Sequence, residues 1–405
     1  PAHGWRSFSL RQISGEISEN IDDGDALQIM NEYFLIRADA GDGTFTIINR
    51  VNGKEYPHQN FYTDGGDAGD LYTYSPPAAD RVIDSRNNLT ADIRTKKSIT
   101  TQVLTVSMKL LIPVSLTEDR KNRSDELREM KIETCAILSP GQRWVAFRTR
   151  VENPAADHRL RVHFPLPFKT PSAFFDGHFD IVVRPLRLPT ADPTWIEQPT
   201  PEQPQRFFCS ADDGDSGLMV VNRGLPEIAL LETADGQEFA LTLLRCTGWL
   251  SRNDLTTRQG SAGRAIPTPG AQEQGQHIFE YALIPHNGLD PELYQLADAY
   301  QTPPQGVFTE CHSGSLPASG RFISVDPPEF RISAIKPAFE GPGVVVRGFN
   351  VTDRALSVRM AVMLPYTNVF QTSLSEEKIK AVSVNADGWI TFTAGPHQVV
   401  TLHFK

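Results

Sequence analysis

The sequence has no apolar run near the roughly 20 residues that a membrane-spanning helix requires. It also has no excess of basic residues, since 39 Lys and Arg stand against 49 Asp and Glu and the net charge is -10. Nucleic acids and anionic lipids favour a basic face, so we expect neither a nucleic-acid partner nor a membrane partner. With 405 residues, 40% of them hydrophobic, the chain is typical of a soluble globular protein of two or three domains.

Cysteine is scarce, and no C-x-x-C pair or compact disulfide spacing occurs. This favours reduced thiols in a cytoplasmic protein. The first residues do not resemble a signal peptide, and they read as the end of a strand. We therefore expect further sequence before Pro1. The four cysteines are Cys135, Cys209, Cys246 and Cys311.

Complete catalytic motifs are missing as well. The sequence contains no G-x-x-x-x-G-K-[ST], H-E-x-x-H or G-x-S-x-G motif, and no dinucleotide fingerprint between a strand and a helix. No calcium-binding loop fits the acidic stretches either.

What the sequence does have is strand periodicity. Leu104, Val106, Met108 and Leu110 alternate with polar residues, which predicts a half-buried antiparallel strand. Strand-like runs flank the charged stretch 118–129, so we expect a long hairpin with a polar tip. The ADDGDSG segment at 211–217 predicts a hairpin turn and not a pair of catalytic carboxylates.

Two segments are predicted to be loops. Residues 54–77 combine carboxylates with aromatics, either as a sugar-facing loop or as a turn whose Asp and Gly residues satisfy the backbone. Residues 159–204 contain nine prolines and are predicted to be mostly irregular. Two histidines in this second segment, His163 and His178, are candidates for acid-base or metal chemistry, although a lone loop histidine is more often only polar.

One helix is predicted, with Asp290 as N-cap, Pro291 at its first position and an end at Thr302 before Pro303. Beyond residue 306 the strand pattern resumes, and Leu356 to Leu364 alternate strictly. A second, smaller β-sandwich of about 100 residues would account for it.

The segment 251–288 carries Arg252 and Arg258 in a Gly- and Pro-rich loop that ends in a strand-like run. Such a loop suits a polar ligand or a partner domain better than a core. Together with GDGTFTIINRVNGKEY at 41–56, GDAGDLYTYSPP at 66–77, and FRISAIKPA and VVVRGFN near the end, it resembles the C-terminal β portion of glycoside hydrolase family 38, the α-mannosidases and their relatives.

The resemblance implies an all-β chain in which residues 1–26 finish a preceding small β domain. A large β-supersandwich similar to galactose mutarotase would cover 27–305, and a smaller β-sandwich 306–405. In the family, the nucleophilic aspartate and the zinc ligands lie in an N-terminal domain that has no counterpart here. The resemblance therefore implies no catalytic residue, no metal ligand and no activity in the isolated chain. It implies a retaining hydrolase of α-mannosides or related oligosaccharides once this chain is joined to that domain, and a homo-oligomer is an open possibility.

In the family, a tyrosine and an arginine of the β part reach the nucleophile and the substrate. Tyr72 matches the tyrosine, and Arg252 or Arg258 matches the arginine, which makes Tyr72, Asp70 and Arg258 the predicted substrate contacts. Arg264 stands where the family pattern leads us to expect proline, so the conformation of this loop is left open. A tyrosine hydroxyl and an arginine would both keep a carboxylate nucleophile ionised. Alternatively, these residues only dock the β part onto the catalytic domain.

Two other functions are compatible with the sequence. One is a free-standing carbohydrate-binding module that uses the loop from Phe61 to Tyr74. The other is a mutarotase-type sugar epimerase, which needs a histidine and a glutamate facing each other, and the sequence pairs no glutamate with His163 or His178.

Overall fold

The computed structural model describes residues 3–9, 27–87, 91–310 and 312–405. Within them, strands dominate and the one α-helix is α1 (Pro291–Gln301), which confirms the all-β prediction. The chain divides into two compact units. Of the described residues, the larger unit contains 27–175 and 183–289, and the smaller unit contains 3–9, 176–182 and 290–405.

The strands of the first half are short at the start and long in the hairpins that follow. They are β1 (Gly4–Arg6), β2 (Gln28–Met30), β3 (Phe34–Ala38), β4 (Phe45–Asn49), β5 (Glu55–Gln59), β6 (Phe61–Gly66), β7 (Ile83–Asp84), β8 (Asp92–Lys97), β9 (Gln102–Pro113), β10 (Leu127–Leu138), β11 (Val145–Asn153), β12 (His158–Leu166), β13 (Ser172–Asp176) and β14 (Ile181–Pro185), with a 3₁₀ turn at Ser85–Asn87.

The second half continues as β15 (Glu202–Pro204), β16 (Phe208–Asp212), β17 (Gly217–Asn222), β18 (Glu227–Thr233), β19 (Gly236–Arg245), β20 (Gly275–His286), α1 (Pro291–Gln301), β21 (Ser319–Arg321), β22 (Ile323–Asp326), β23 (Phe330–Pro337), β24 (Val344–Asn350), β25 (Leu356–Val362), β26 (Val369–Thr372), β27 (Lys378–Val382), β28 (Trp389–Ala394) and β29 (Val399–Phe404), with a 3₁₀ turn at Pro269–Gln272.

Three antiparallel sheets build the larger unit. Nine strands are ordered β14-β13-β16-β17-β20-β11-β10-β9-β8, six are ordered β15-β18-β19-β12-β6-β7, and four are ordered β2-β3-β4-β5. The predicted hairpin around 118–129 is confirmed, because β9 and β10 pair from Gln102↔Leu138 to Pro113↔Leu127. The turn predicted at 211–217 is confirmed by the β16–β17 pairing.

The core of the larger unit forms because alternate residues of these strands point to one side. Leu104, Val106 and Leu110 on β9 are buried, as are Phe147 on β11 and Phe239 on β19, and all belong to one apolar cluster. Burying such side chains contributes roughly 1.5–3 kcal/mol each.

The other face of the nine-stranded sheet carries cross-strand ion pairs. Lys131 lies 3.1 Å from Glu152, and Arg150 lies 3.0 Å from Glu133. All four side chains are about half exposed. This pattern explains why the strands alternate between apolar and charged residues.

The smaller unit has its own core between a three-stranded sheet (β22-β25-β28) and a five-stranded sheet (β23-β24-β29-β26-β27). Val358, Met360 and Ile390 lie in that core. The small sandwich is therefore present, and the predicted strand from Leu356 onward is its β25.

Helix α1 begins and ends where the sequence predicts. The Asp290 carboxylate accepts a hydrogen bond from the Leu293 amide, and Pro291 occupies the first turn. The helix belongs to the smaller unit. Described strand β1 also belongs to this unit and pairs with β21. Most of the expected preceding domain, residues 1–2 and 10–26, lies outside the described residues, and the predicted domain boundaries stay a prediction.

Two predicted loops are wrong in part. Residues Glu55–Gln59 and Phe61–Gly66 are strands, and Tyr62 and Asp64 are fully buried. Residues His158–Leu166 form an interior strand of the six-stranded sheet in spite of Pro165. The reason is local, because β6 pairs with β12 only as far as His163. Proline lacks an N–H, but no β6 residue lies opposite Pro165, so the pairing between β6 and β12 loses no hydrogen bond there. None of the described helices is long and apolar enough to cross a membrane.

Candidate functional site

The predicted site residues of the larger unit do come together, and Asp70 is at their centre. Its side chain is fully buried. Oδ1 accepts hydrogen bonds from the amides of Tyr72 (3.0 Å) and Thr73 (2.9 Å) and from Arg258 Nη1 (3.2 Å). Oδ2 accepts from the Arg252 amide (2.8 Å) and from Arg258 Nη2 (2.5 Å). Both carboxylate oxygens are thus engaged by the protein itself.

Arg258 is the partner that neutralises Asp70. Its side chain is only 2% exposed, and it also donates to Thr73 Oγ1 (2.6 Å) and to the Arg252 carbonyl (2.9 Å). Burial alone would raise the pKa of Asp70, but the hydrogen bonds from Arg258 and from the Arg252 and Thr73 amides outweigh it and hold the pKa below its usual value. The pair joins the loop 67–75 to the segment 251–260.

Tyr72 has very different surroundings. Its side chain is 58% exposed, and no described residue forms a hydrogen bond with its hydroxyl. The backbone beneath it is held by Asp70, and a Cβ added at Gly263 would lie 3.4 Å from its Oη. A free phenol on a fixed loop is a group that can reach out to a neighbouring carboxylate or to a sugar hydroxyl.

Arg252 is the more accessible of the two candidate arginines. Its side chain is 20% exposed and pairs with Asp254 through Nε (2.7 Å) and Nη2 (2.5 Å). The guanidinium also lies 5.0 Å from the centre of the Trp249 ring, a cation–π contact. Arg264, where a proline was expected, is exposed.

A second set of polar contacts fixes the base of the Tyr72 loop. Arg245 Nε lies 2.9 Å from the buried Asp67 carboxylate, and Thr247 donates to the Gly69 carbonyl (3.0 Å). Gly69 is required for steric reasons, because a Cβ there would lie 2.2 Å from the Thr73 carbonyl oxygen. Burial raises the pKa of Asp67 in spite of Arg245.

A buried ionic cluster under this loop escaped the sequence-based prediction. His158, Asp64 and Arg123 are all buried. His158 Nδ1 lies 2.5 Å from Asp64 Oδ2, and Nε2 lies 3.0 Å from Asn153 Oδ1. Burial alone would lower the pKa of His158, but Asp64 and Cys246 raise it to about 10. The histidine is therefore protonated and donates from both nitrogens, and its burial gives it a structural role.

His163 is not a loop residue and has a glutamate partner that the sequence could not identify. Its Nδ1 lies 2.8 Å from Glu238 Oε1 and its Nε2 lies 2.7 Å from Thr63 Oγ1. Burial lowers the pKa of His163, and both of its nitrogens are occupied. The pairing was invisible in the sequence because β12 and β19 come together only in the folded sheet. The other candidate, His178, is exposed in the turn after β13.

Comparison with known proteins identifies the family. A sequence model described as the glycosyl hydrolases family 38 C-terminal domain matches residues 29–252, more than half of the chain. The chain belongs to glycoside hydrolase family 38. A second model, for the family 38 C-terminal beta sandwich domain, matches residues 329–402. The first match includes Asp70, Tyr72 and Arg252, and Arg258 lies beyond its end.

The chain spans less than half the length of the relatives that it matches. An α-mannosidase from Enterococcus faecalis V583 is 28% identical with a TM-score of 0.79 over 94% of this chain and 42% of its own. Another family 38 structure from Enterococcus faecalis is 26% identical with a TM-score of 0.78 over 98% of this chain and 45% of its own. A curated Halalkalibacterium halodurans protein with the provisional name mannosylglycerate hydrolase is 25% identical over the whole chain, which spans 44% of it.

Proposed function

We propose that this family 38 chain is the β part of a retaining hydrolase of α-mannosides and acts when it is joined to an N-terminal catalytic domain. Two facts support this: the similarity to an α-mannosidase over 94% of the chain, and a chain that spans less than half of its relatives. In this proposal the β part packs on the catalytic domain and forms one wall of the active site. The isolated chain has no hydrolase activity.

The main support for the proposal is that Tyr72 is exposed on a loop whose conformation is fixed by the Asp70–Arg258 pair. We assign its hydroxyl the role of donating a hydrogen bond to the carboxylate nucleophile of the missing domain, which would hold that carboxylate in place and keep it ionised. The side chain needs no rearrangement to do so, because it is 58% exposed and its backbone is fixed by Asp70.

The arginine of the wall is assigned to Arg252 and not to Arg258. Arg252 is accessible and lies beside Trp249, whereas Arg258 is buried in an ion pair with Asp70. The same reasoning gives Asp70 and Arg258 the role of positioning Tyr72. Direct contacts of Asp70 and Arg258 with the substrate stay a prediction.

Zinc belongs to the proposed catalytic domain. Among the described residues, no group of three or more His, Cys, Asp and Glu side chains is placed to hold a metal ion. The residues that the structure describes therefore do not fit a zinc site.

A mannoside with an anionic aglycone is a second candidate substrate. The relative with the provisional name mannosylglycerate hydrolase aligns with the whole chain. The partly exposed guanidinium of Arg252 could pair with a glycerate carboxylate. Replacing Arg252 with Gln would then impair hydrolysis of mannosylglycerate more than that of an uncharged aryl α-mannoside, whereas an equal loss would rule this role out.

The deciding experiment compares the native gene product with the 405-residue chain. The mass of the native polypeptide is measured, and both proteins are assayed on an aryl α-mannoside with added zinc. A native product of about twice this size that is active, beside an inactive 405-residue chain, supports the proposal. Turnover by the 405-residue chain alone would overturn it.

A further inference from the structure

A cleft of about 520 Å³ with a mixed polar and apolar lining opens in the larger unit at one end of the six-stranded sheet. Its volume lies within the ~300–1,000 Å³ typical of small-molecule sites. The cleft shares no residue with the Tyr72 loop. Its polar lining consists of Asp42, His58, Arg86, Thr233, Asp235, Gln237 and Glu238.

Glu238 presents an acceptor to this cleft. The residue is only 8% exposed. One carboxylate oxygen, Oε1, is 2.8 Å from His163 Nδ1, while none of the residues that the structure describes donates a hydrogen bond to Oε2. The His163 ring is itself fixed, because it stacks on Phe61 at 4.7 Å and its Nε2 meets Thr63 Oγ1 at 2.7 Å. His163 thus fixes the orientation of the carboxylate, and Oε2 remains available to accept a hydrogen bond.

Gln237 is the neighbouring buried polar side chain. It is 5% exposed, and its Oε1 accepts a hydrogen bond of 2.7 Å from the Thr170 amide. That bond identifies Nε2 as the other end of the amide, and Nε2 has no hydrogen-bond partner in the described part of the chain. Gln237 supplies an unused donor at the edge of the cleft, but successive residues of a strand point to opposite faces of a sheet, so its side chain does not face the same way as that of Glu238.

Arg86 supplies a second donor. Asp84 holds its guanidinium through Nε (3.1 Å) and Nη2 (2.7 Å), and the group lies 3.9 Å from the centre of the Phe61 ring. The remaining nitrogen, Nη1, has Asp235 at 3.9 Å, which is beyond hydrogen-bond distance. The guanidinium is therefore fixed in direction before any ligand arrives.

A site that offers both fixed donors and fixed acceptors favours a ligand with hydroxyl groups over an anion or a cation. A sugar hydroxyl both donates and accepts, so adjacent hydroxyls can meet a carboxylate and a guanidinium together. An anion would face the carboxylates of Asp42, Asp235 and Glu238, and a small cation would face the positive charge of Arg86. We propose that this cleft is a saccharide-binding site in which Glu238 and Arg86 hold neighbouring hydroxyls. The inference does not rest on the proposed hydrolase function, since binding here requires no turnover.

The test is a titration of the 405-residue chain with mannose, methyl α-mannoside and mannobiose, followed by protein NMR and calorimetry. We expect saturable binding that shifts the signals of residues lining the cleft. Glu238→Gln replaces the unused acceptor with a donor, and Arg86→Lys removes the guanidinium that Asp84 holds in a fixed orientation. Each should weaken binding about tenfold or more, the size of losing one hydrogen bond to a charged group.

Two further variants keep the result interpretable. Glu133→Gln makes the same chemical change on the outer face of the nine-stranded sheet and should leave binding unchanged. Asp235→Asn alters a cleft residue whose side chain is 83% exposed, so it tests the cleft even if the buried variants do not fold.

Binding that weakens in folded Glu238→Gln or Arg86→Lys, or in Asp235→Asn, but not in Glu133→Gln supports the site. The inference is overturned if none of the saccharides binds, if binding is the same in every folded variant, or if choline or inorganic phosphate binds in the cleft in place of the sugars.

Discussion

Tyr72 and Arg258 both belong to the Asp70 site but differ in exposure. Tyr72 is exposed, and no described residue forms a hydrogen bond with its hydroxyl, whereas Arg258 is buried against Asp70. A group that acts on a ligand has to be accessible, and a group that maintains a loop conformation has to be enclosed. We therefore propose that Tyr72 contacts the ligand or the catalytic domain and that Arg258 holds the loop in place.

Replacing Tyr72 with Phe tests the proposed hydrogen bond from its hydroxyl to the carboxylate nucleophile. In the complete enzyme we expect kcat on an aryl α-mannoside to fall about ten- to a hundredfold, as one hydrogen bond to a charged group contributes about 1.5–3 kcal/mol. The melting temperature should stay the same because the hydroxyl forms no hydrogen bond within the described chain. Unchanged kcat in the folded variant would show that the tyrosine only docks the domain.

The His158 cluster predicts a particular pH dependence of stability. The pKa of His158 is about 10 in the folded state and 6.5 in a model compound. A raised folded-state pKa means that the stabilisation is complete below pH 6.5, declines as the pH rises, and is lost above about 10. Asp64 has a lowered pKa, so its contribution is present above the usual aspartate pKa of 3.8 and is lost as the pH falls.

Urea unfolding between pH 6 and 10 measures this effect. The free energy of unfolding should fall with pH in the unmodified chain and vary much less in His158→Gln, which should also be less stable by roughly 3–5 kcal/mol at pH 6 because Asp64 loses a buried partner. The exposed His312→Gln serves as the control. A parallel pH profile in His158→Gln would contradict the assignment.

At the scale of elements, the loop 67–75 is a rigid part of the fold. It is joined to the segment after β19 by Asp70–Arg258 and to the end of β19 by Asp67–Arg245. Long loops that carry function are often positioned in this way by a rigid scaffold. Its conformation also depends on the absence of a side chain at Gly69.

Replacing Gly69 with Ala should disturb this loop. The added Cβ would lie 2.2 Å from the Thr73 carbonyl oxygen, so the backbone has to shift, with an expected loss of stability of about 1–3 kcal/mol and a changed Tyr72 environment by NMR. Gly270→Ala is the matched control, since a Cβ there meets nothing within 4 Å. Equal effects of the two substitutions would mean that the close packing is not limiting.

At the scale of the whole molecule, two apolar cores stabilise the chain. Met130 belongs to the core of the larger unit, and Met360 belongs to that of the smaller unit. Both side chains are buried. Because each core lies within its own unit, a cavity in one should chiefly loosen the strands around it.

The pair Met130→Ala and Met360→Ala tests this, since the chemical change is the same. Each should lower stability by about 2–5 kcal/mol. By hydrogen exchange, Met130→Ala should expose amides of β9 to β11, and Met360→Ala those of β25 and β28. If both variants accelerated exchange equally in both sets of strands, the chain would behave as one cooperative unit.

Much of this molecule was accessible from the sequence because it depends on local patterns. Alternation along Leu104 to Leu110 and Leu356 to Leu364, the cap at Asp290 and the turn at 211–217 each lie within a few residues of chain, where backbone preferences and side-chain direction act directly. The family was accessible for a related reason, since its sequence motifs recur in order. The candidate residues Asp70, Tyr72, Arg252 and Arg258 were found from those motifs.

Tertiary structure alone decided which of these residues are buried and which partners they have. Arg252 and Arg258 look alike in sequence, but only the folded loop encloses one and leaves the other accessible. His163 with Glu238, and His158 with Asp64, are separated by 75 and 94 residues, and strand pairing brings them together. Pro165 lies in a strand because its neighbour β6 ends first. Such contacts depend on long-range register, which no local pattern of residues encodes.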